Sequence, residues 1–397
     1  MGRPCRTDVI AYALTHPIQY QVPMIRYLRA GDVPVEVVYA TDITARGYED
    51  EGFGRKVEWD MPLLEGYPYR VLFPNDDLPC GLRQLRRYRR ALGAAFDEMR
   101  PDAVWVHGWG NAYPLAALLE ARRRRLPVLM RGETSLECLH GGKVRRALHH
   151  GLLSVLFRGV SQFLAIGKAN QAFYRHHGVA EGRIHLMPYA VDNTFFQQRC
   201  QAAASQRERL RAALGIEPGR PVILFCAKLI GVKDPATLIH AIGLSAALNP
   251  LLLMAGDGAL SPEMEELARK VAPGMVKFLG FRNQTELPAL YDLCDVFVLP
   301  SVFEPWGLVV NEVMNAGKPV IVSNKVGSGH DLVQPGVNGD VFQAGNVEDL
   351  LVHMRPWLED AGLRSRGGQE SLRIINSWGF DQSLAGLQAA INALNLP

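Results

Sequence analysis

No C-x-x-C pair occurs among the six cysteines of this chain (Cys5, Cys80, Cys138, Cys200, Cys226 and Cys294), and several sit inside apolar runs. That argues against a disulfide framework or a zinc site and reads as reduced, buried thiols in a cytosolic protein. Long hydrophobic runs are missing too. The N-terminal apolar stretch extends only from Val9 to Leu14, is interrupted by Tyr12, and is followed by His16 and Pro17. It is too short and too polar at its flanks for a signal peptide or a membrane span, and reads as a core strand. A strong charge of either sign is absent, the net charge being +3. With no recognised nucleic-acid-binding motif beside it, that is weak support for a nucleic-acid partner.

What is present is enough apolar material for two cores: 48% of 397 residues are hydrophobic, and the length favours two or three domains. The charge is unevenly spread. Residues 1–195 hold 26 Lys/Arg against 20 Asp/Glu, so the first half is the basic one. Its apolar runs, Val9–Leu14, Val35–Ala40, Ala103–Val106, Val128–Met130, Phe163–Ile166 and Ile184–Met187, alternate with longer helix-like segments. Strands spaced by helices imply a doubly wound parallel sheet whose ligands lie beyond the carboxyl ends of the strands. The residues that follow three of these runs are polar: Thr15, His16 and Gln19 after the first, His107 after the third, and Arg131, Glu133 and Thr134 after the fourth. His16, His107 and Glu133 are therefore candidates to line a cleft, although a lone His after a strand is often only a hydrogen-bonding partner.

From Val191 to Gly219 the sequence turns polar, and a domain boundary belongs there. A second alternating series follows: Pro221–Ala227, Leu251–Ala255, Val276–Leu279, Val296–Leu299 and Val320–Val322. The expected organisation is an N-terminal Rossmann-like domain over 1–195, a linker over 196–219, a second Rossmann-like domain over 220–375, and a C-terminal helix over 376–397 packing back on the domains, which would face each other across a cleft.

The richest stretch is Asp295–Asn324, DVFVLPSVFEPWGLVVNEVMNAGKPVIVSN. It reads as strand, Pro/Gly turn, helix from about Gly307, and strand, with Glu304 in the turn and Glu312 in the helix. A helix beginning near Gly307 would aim free amides and its positive dipole end at an anion. A carboxylate beside a bound phosphate is repelled unless hydroxyl groups occupy it, so the pairing suggests a ligand holding both phosphate and polyol, such as a nucleotide-sugar. Lys228 and Lys233, five residues apart after another strand, can converge on one diphosphate; lysines in a loop can equally be merely solvated. Gly256-Asp257-Gly258 is a tight turn of little specificity. Phe281 and Arg282 could present an aromatic and a cationic group to a base, and Val326–Asp331 is either a ligand-contacting loop or a plain turn.

Two Arg-rich stretches (Arg83, Arg86, Arg87, Arg89, Arg90; and Arg122–Arg125) and a third segment, Lys143–Phe163, combine basic residues with apolar ones at helical spacing. Such faces suit an anionic membrane surface, and equally an ordinary solvated helix.

Taken together, FEPWGLVVNE with Glu304 and Glu312, AKLIGVK with Lys228 and Lys233, LYDLCDVFVLPS, AGKPVIVSN and PGVNGDVF resemble the family 4 retaining glycosyltransferases of the GT-B fold over nearly the whole chain. THPIQY and RGETS resemble a subset of bacterial members that build surface polysaccharides. The resemblance implies an α/β GT-B architecture and retaining transfer of a sugar from a UDP- or GDP-linked donor to a hydroxyl of a glycan or lipid-linked acceptor in polysaccharide or lipopolysaccharide synthesis. It implies Glu312 on the ribose hydroxyls, Glu304 on hydroxyls of the donor sugar, and Lys228 and Lys233 on the diphosphate with the amides of Trp306, Gly307 and Leu308. Phe281 and Arg282 would lie near the base. No cofactor or metal is implied, and no metal-binding Asp-x-Asp is seen. The chain departs from many members in Lys228, where an Arg is common, in Thr15-His16-Pro17, where a Gly-rich loop is common, and in Glu133, where a His is common. A cytoplasmic protein, peripheral on the inner face of the membrane, is the matching expectation. A nucleotide-sugar epimerase of the same fold and a non-catalytic nucleotide-sugar binder are the alternatives.

Overall fold

A computed structural model of the chain describes residues 9–50, 52–77, 81–138 and 142–394, without the side chains of Cys138 and Lys143. Cys5 and Cys80 lie outside the described residues. Two compact units are present. The first takes in residues up to Tyr48, 61–189 and those from Phe380 on; the second takes in 49–60 and 190–379.

The strands, in chain order, are β1 (Ile10–Leu14), β2 (Val35–Tyr39), β3 (Tyr48–Asp50), β4 (Arg55–Val57), β5 (Tyr69–Val71), β6 (Ala103–His107), β7 (Val128–Arg131), β8 (Gln162–Ala165) and β9 (Ile184–Leu186). They continue as β10 (Val222–Cys226), β11 (Leu251–Ala255), β12 (Val276–Gly280), β13 (Val296–Leu299), β14 (Val320–Ser323) and β15 (Gly339–Phe342). Every apolar run singled out in the sequence is a strand or most of one. The short strands β5 and β15 and the β3–β4 pair carry too few apolar residues to announce themselves.

The first unit holds a seven-stranded sheet in the order β5-β2-β1-β6-β7-β8-β9, and the second a six-stranded sheet in the order β12-β11-β10-β13-β14-β15. The pairings are parallel throughout both sheets, as between β1 and β2, β1 and β6, and β10 and β13. Each is thus a doubly wound Rossmann-like layer, with one point where the strand order reverses. That point lies between β1 and β6 in the first sheet and between β10 and β13 in the second. A crevice opens beyond the strand ends at such a reversal, because the two neighbouring crossover helices leave on opposite faces.

Burial on both faces explains the near-continuous apolar composition of the central strands. Ile10 through Leu14 are all buried, as are Val222 through Phe225 and Val296 through Leu299. In the first unit Tyr12 stacks on Trp105 across the β1–β6 junction, with ring centroids 3.7 Å apart. The stretch 196–219, expected as a linker, is largely helical: Asn193–Ala204 and Arg207–Ala213 are helices of the second unit. The C-terminal helix Phe380–Asn392 belongs to the first unit. Gly386 fits it there, since a Cβ at that position would meet the Leu186 carbonyl oxygen at 1.9 Å.

Candidate functional site

In the second unit the chemistry gathers at the β10/β13 reversal. β10 ends at Cys226, and the chain runs through Lys228 into a 3-10 turn, Gly231–Lys233. Asp234, in the left-handed region with φ of 45°, ends this turn and caps the next helix, its carboxylate accepting from the Thr237 hydroxyl at 2.6 Å, while Pro235 occupies the first helical position. The cap fixes where Lys233 leaves the backbone. Val302 donates its amide to the Val232 carbonyl at 3.0 Å, docking this turn on the segment after β13. Lys233 Nζ consequently meets the Glu304 carboxylate in a half-buried ion pair.

Two glycine turns hold these loops. A Cβ on Gly256 would meet the Ala227 carbonyl oxygen at 1.9 Å, and one on Gly258 the Leu229 oxygen at 2.5 Å, so the turn after β11 braces the Lys228 loop by backbone contact. The loop 326–331 does the same for Glu304. The Gly327 amide donates to the Glu304 carbonyl at 2.9 Å, and a Gly327 Cβ would meet the Pro305 oxygen at 2.0 Å. Both stretches therefore shape the site through the main chain, and no side chain could replace these glycines without moving it.

The helix after the turn spans Leu308–Met314, with Gly307 as its N-cap at φ of 89°. Only glycine takes that conformation without strain. Trp306 is anchored: its indole N–H donates to Asn311 Oδ1 at 3.0 Å and its ring stacks on Trp378. Its side chain thus orients the turn. Glu312 leaves this helix into a half-buried position, where it accepts from the Tyr291 hydroxyl at 2.5 Å; that hydroxyl is 4.0 Å from Cys226 Sγ. Burial pushes the Glu312 carboxyl up to about 7 against the downward pull of the Tyr291 hydrogen bond. One donor is too few for a half-buried carboxylate with four lone-pair sites. The group is set up to accept further hydroxyl donors.

Lys228 is engaged from a distant part of the sequence. Asp50 accepts from its Nζ at 2.6 Å, and the ammonium lies 4.6 Å from the centre of the Phe53 ring. Phe53 in turn meets the Phe281 ring edge-on at 4.9 Å, and the Arg55 guanidinium lies 5.1 Å from the Phe281 ring centre. Arg282 is exposed and turned back on Glu286 and the Leu279 carbonyl. The β3–β4 segment thus meets the same strand-end loops as Lys228 and Phe281. Sequence reasoning missed Asp50 because nothing local marks it. Tyr291 was within the recognised LYDLCDVFVLPS segment, and only its contact with Glu312 gives it a role.

In the first unit the reversal between β1 and β6 gathers the other three candidates. Tyr12 OH lies 3.1 Å from His107 Nδ1, and His107 Nε2 lies 3.3 Å from Glu133 Oε1. The Tyr189 hydroxyl donates to the same Glu133 oxygen at 2.5 Å. Burial would raise the Glu133 carboxyl, but the His107 hydrogen bond and charge, Tyr189 and Arg131 outweigh it and hold the carboxyl below its ordinary range. His16, on Thr15 Oγ1 at 3.0 Å, is lowered to about 4 by burial and by His107, which keeps its imidazole neutral. Arg131 is fully buried, donating to the carbonyls of Met187 and Pro188. His16, His107 and Glu133 therefore form one electrostatically coupled group, with Tyr12 and Tyr189 as members the sequence did not disclose. Trp109 is a core residue, stacked on Phe173 and filling the space above Gly132.

Of the basic stretches, much of the first two is neutralised. Glu120 pairs with Arg89, Arg123 and Arg124, Asp97 with Arg124, and Asp76 with Arg87. The third is the helix Lys143–Phe157, whose Val144, Leu148, Leu152 and Val155 are 60–75% exposed along one face. Among the described residues no helix is long and apolar enough to cross a membrane. Cys200 and Cys294 are buried free thiols and Cys226 is a half-buried one; burial pushes each up to about 12.

Two doubly wound units, with cations and carboxylates collected at the strand-order reversals, define a protein of the GT-B architecture. Comparison with known proteins carries this to the family. Residues 18–190 match the model described as "Glycosyl transferase 4-like domain", and residues 206–372 match "Glycosyl transferases group 1". The two cover most of the chain, which belongs to the GT-B glycosyltransferases of the GT4 type. An uncharacterised glycosyltransferase of Methanocaldococcus jannaschii is 34% identical over 177 residues, 44% of this chain and 41% of its own length. A D-inositol 3-phosphate glycosyltransferase of Streptomyces bingchenggensis is 26% identical over 345 residues, 81% of this chain and 73% of its own. The chain thus spans less than half of the first of these relatives and about three quarters of the second. Among solved structures, HepE of Anabaena in complex with UDP has a TM-score of 0.74 at 18% identity, over 97% of this chain and 99% of its own. A glycosyltransferase of Rickettsia africae has a TM-score of 0.74 at 13% identity, over 98% and 100%.

Proposed function

We propose that the protein transfers a sugar, with retention at the anomeric carbon, from a UDP- or GDP-linked donor to a hydroxyl of a glycan or lipid-linked acceptor in polysaccharide or lipopolysaccharide synthesis. The observation that carries this is the gathering of Lys228, Lys233, Glu304 and a hydroxyl-hungry Glu312 at the β10/β13 reversal of one sheet. Glu312 takes the ribose hydroxyls. Glu304, steadied by Lys233, takes hydroxyls of the donor sugar. Lys228 exchanges the Asp50 carboxylate for the donor's diphosphate, and Lys233 adds a second charge, helped by the amides at Trp306, Gly307 and Leu308. Phe281 and Arg282 border the base. The bond from the anomeric carbon to the diphosphate breaks as the acceptor oxygen attacks the same face, and the departing diphosphate oxygen takes the acceptor's proton. Positioning and electrostatic stabilisation of the leaving group supply the rate, with the lysines doing what a divalent cation does in other transferases. His16, His107 and Glu133 are the groups that would touch the acceptor hydroxyl.

The UDP and UDP-glucose complexes of Anabaena HepE support a UDP-sugar as the first donor to try. The exposed apolar face of the helix Lys143–Phe157, flanked by Arg145 and Arg146, supports peripheral docking on an anionic cytoplasmic membrane face. Incubating the protein with a panel of nucleotide-sugars and following slow, acceptor-free release of nucleoside diphosphate tests the reading. Release from one donor, lost in Glu304→Gln, is expected; no release or transfer from any donor over long incubation would leave only a binder.

A further inference from the structure

Four histidines converge in the first unit. His150 comes from the helix Lys143–Phe157, His176 ends the helix Lys168–His176, and His177 follows it. The His150 ring centroid lies 4.9 Å from those of both His176 and His177, and His149 lies 6.5 Å from His177. His177 is 2% exposed. Its Nδ1 donates to the Phe173 carbonyl at 2.9 Å, which leaves Nε2 pointing away, buried and without a partner; His150 Nδ1 is likewise buried and unpartnered. Orphaned buried nitrogens on two neighbouring rings are a cost that packing alone does not explain.

The rings of His150, His176 and His177 line a cavity of about 270 Å³ shared with Arg158, Arg175 and Arg183. Among the described residues no carboxylate lines it. Arg183 is committed to the carbonyls of Ser161 and Phe157, and Arg175 shares its charge with Glu181 at 2.5 and 2.6 Å. Arg158 has no ion-pair partner among the described residues. The contrast with a second Arg-lined cavity, of about 480 Å³, is instructive: Asp97 and Glu120 line that one and already answer its guanidiniums. The histidine cavity has donors and no counter-charge. It is also below the range of about 300–1,000 Å³ usual for drug-sized ligands, so its ligand is small or only one end of a larger molecule. Among the described residues no three His, Cys, Asp or Glu are placed to hold a metal ion, so the donors suit an anion.

We propose that this cavity binds a phosphoryl group, met by the Arg158 guanidinium, the shared Arg175, and N–H groups of His150, His176 and His177. The site is independent of the donor-site reading. The titratable rings around His177 are His149 and His150 from one helix and His176 from the other; Arg158, Arg175 and Arg183 line the same cavity, and Glu181 is paired to Arg175. Empty, the cavity disfavours imidazolium, since burial and the neighbouring histidines lower His177. An anion reverses that preference by pairing with the charged ring. The phosphoryl group can come from free phosphate or from a lipid headgroup.

Imidazole NMR signals of the full chain, titrated against pH with and without inorganic phosphate, test the proposal. Phosphate should move the midpoint of His177 to higher pH. Arg158→Gln and His176→Gln, both at exposed positions, should weaken phosphate binding by about tenfold or more, the scale of one charge-assisted hydrogen bond. Binding to phosphatidylcholine vesicles with and without phosphatidic acid identifies the source. A dependence on phosphatidic acid that the two variants abolish assigns a lipid headgroup, and phosphate binding with variant-insensitive vesicle binding assigns free phosphate. An unmoved His177 midpoint together with variant-insensitive vesicle binding overturns the proposal. So does phosphate binding that survives Arg158→Gln and is removed by Lys228→Ala, which would place the anion in the donor site.

Discussion

With the ribose role proposed for Glu312, its raised carboxyl should make donor binding dependent on pH, in a direction and size that follow from its burial. With the site empty its midpoint is about 7, against an ordinary 4.5. Ribose hydroxyls donate to the ionised form, so the donor binds the carboxylate and excludes the proton. Half the protein is competent at pH 7 and about one eleventh at pH 6, so affinity should fall about fivefold over that unit and tenfold over the next. Binding at pH 7 should release about half a proton. UDP-glucose is the right probe because neither of its phosphates titrates in this range. Calorimetry in two buffers of different ionisation enthalpy reads both quantities. Affinity that is flat from pH 8 to 6, or a slope that survives in Glu312→Gln, would refute the ribose assignment. The same shift bears on stability. A carboxyl whose folded midpoint is raised makes the folded state hold more protons than the unfolded one, so stability declines as pH rises from 4.5 through 7. The shift corresponds to about 3 kcal/mol. Glu312→Gln should therefore melt higher than the parent at pH 8 and alike at pH 4, a cost in stability carried for binding.

Three further outcomes are expected. Lys233→Ala should lower turnover by at least ~100-fold, the scale of losing one charge stabiliser, and a near-normal rate would remove Lys233 from the diphosphate site. Asp50→Asn should tighten donor binding by several-fold, because Lys228 no longer has to exchange a full carboxylate for diphosphate; calorimetry that shows weaker binding would instead make Asp50 part of the donor site. Acceptor-free release of UDP should persist in excess EDTA, and loss of activity restored by added divalent metal would overturn the metal-free reading.

The strands were legible because burial on both faces leaves a residue-by-residue trace: runs such as Val222–Phe225 and Val296–Leu299 are apolar throughout, and turns such as Gly307 need a residue without a Cβ. The site candidates followed because ligands lie beyond strand ends, a rule that needs only the order of elements along the chain. What the chain order does not contain is the order of strands across a sheet. Only the tertiary structure puts β10 beside β13 and β1 beside β6, and so decides that Lys233 meets Glu304 and that His107 meets Glu133. Contacts over long separations were equally silent. Asp50 reaches Lys228 across 178 positions and Tyr189 reaches Glu133 across 56, and the free energy that joins such pairs resides in packing that no local pattern records. The four histidines show the same limit. The sequence lists them as two ordinary pairs, His149-His150 and His176-His177, and the fold alone brings three of them, His150, His176 and His177, around one cavity that no carboxylate lines among the described residues.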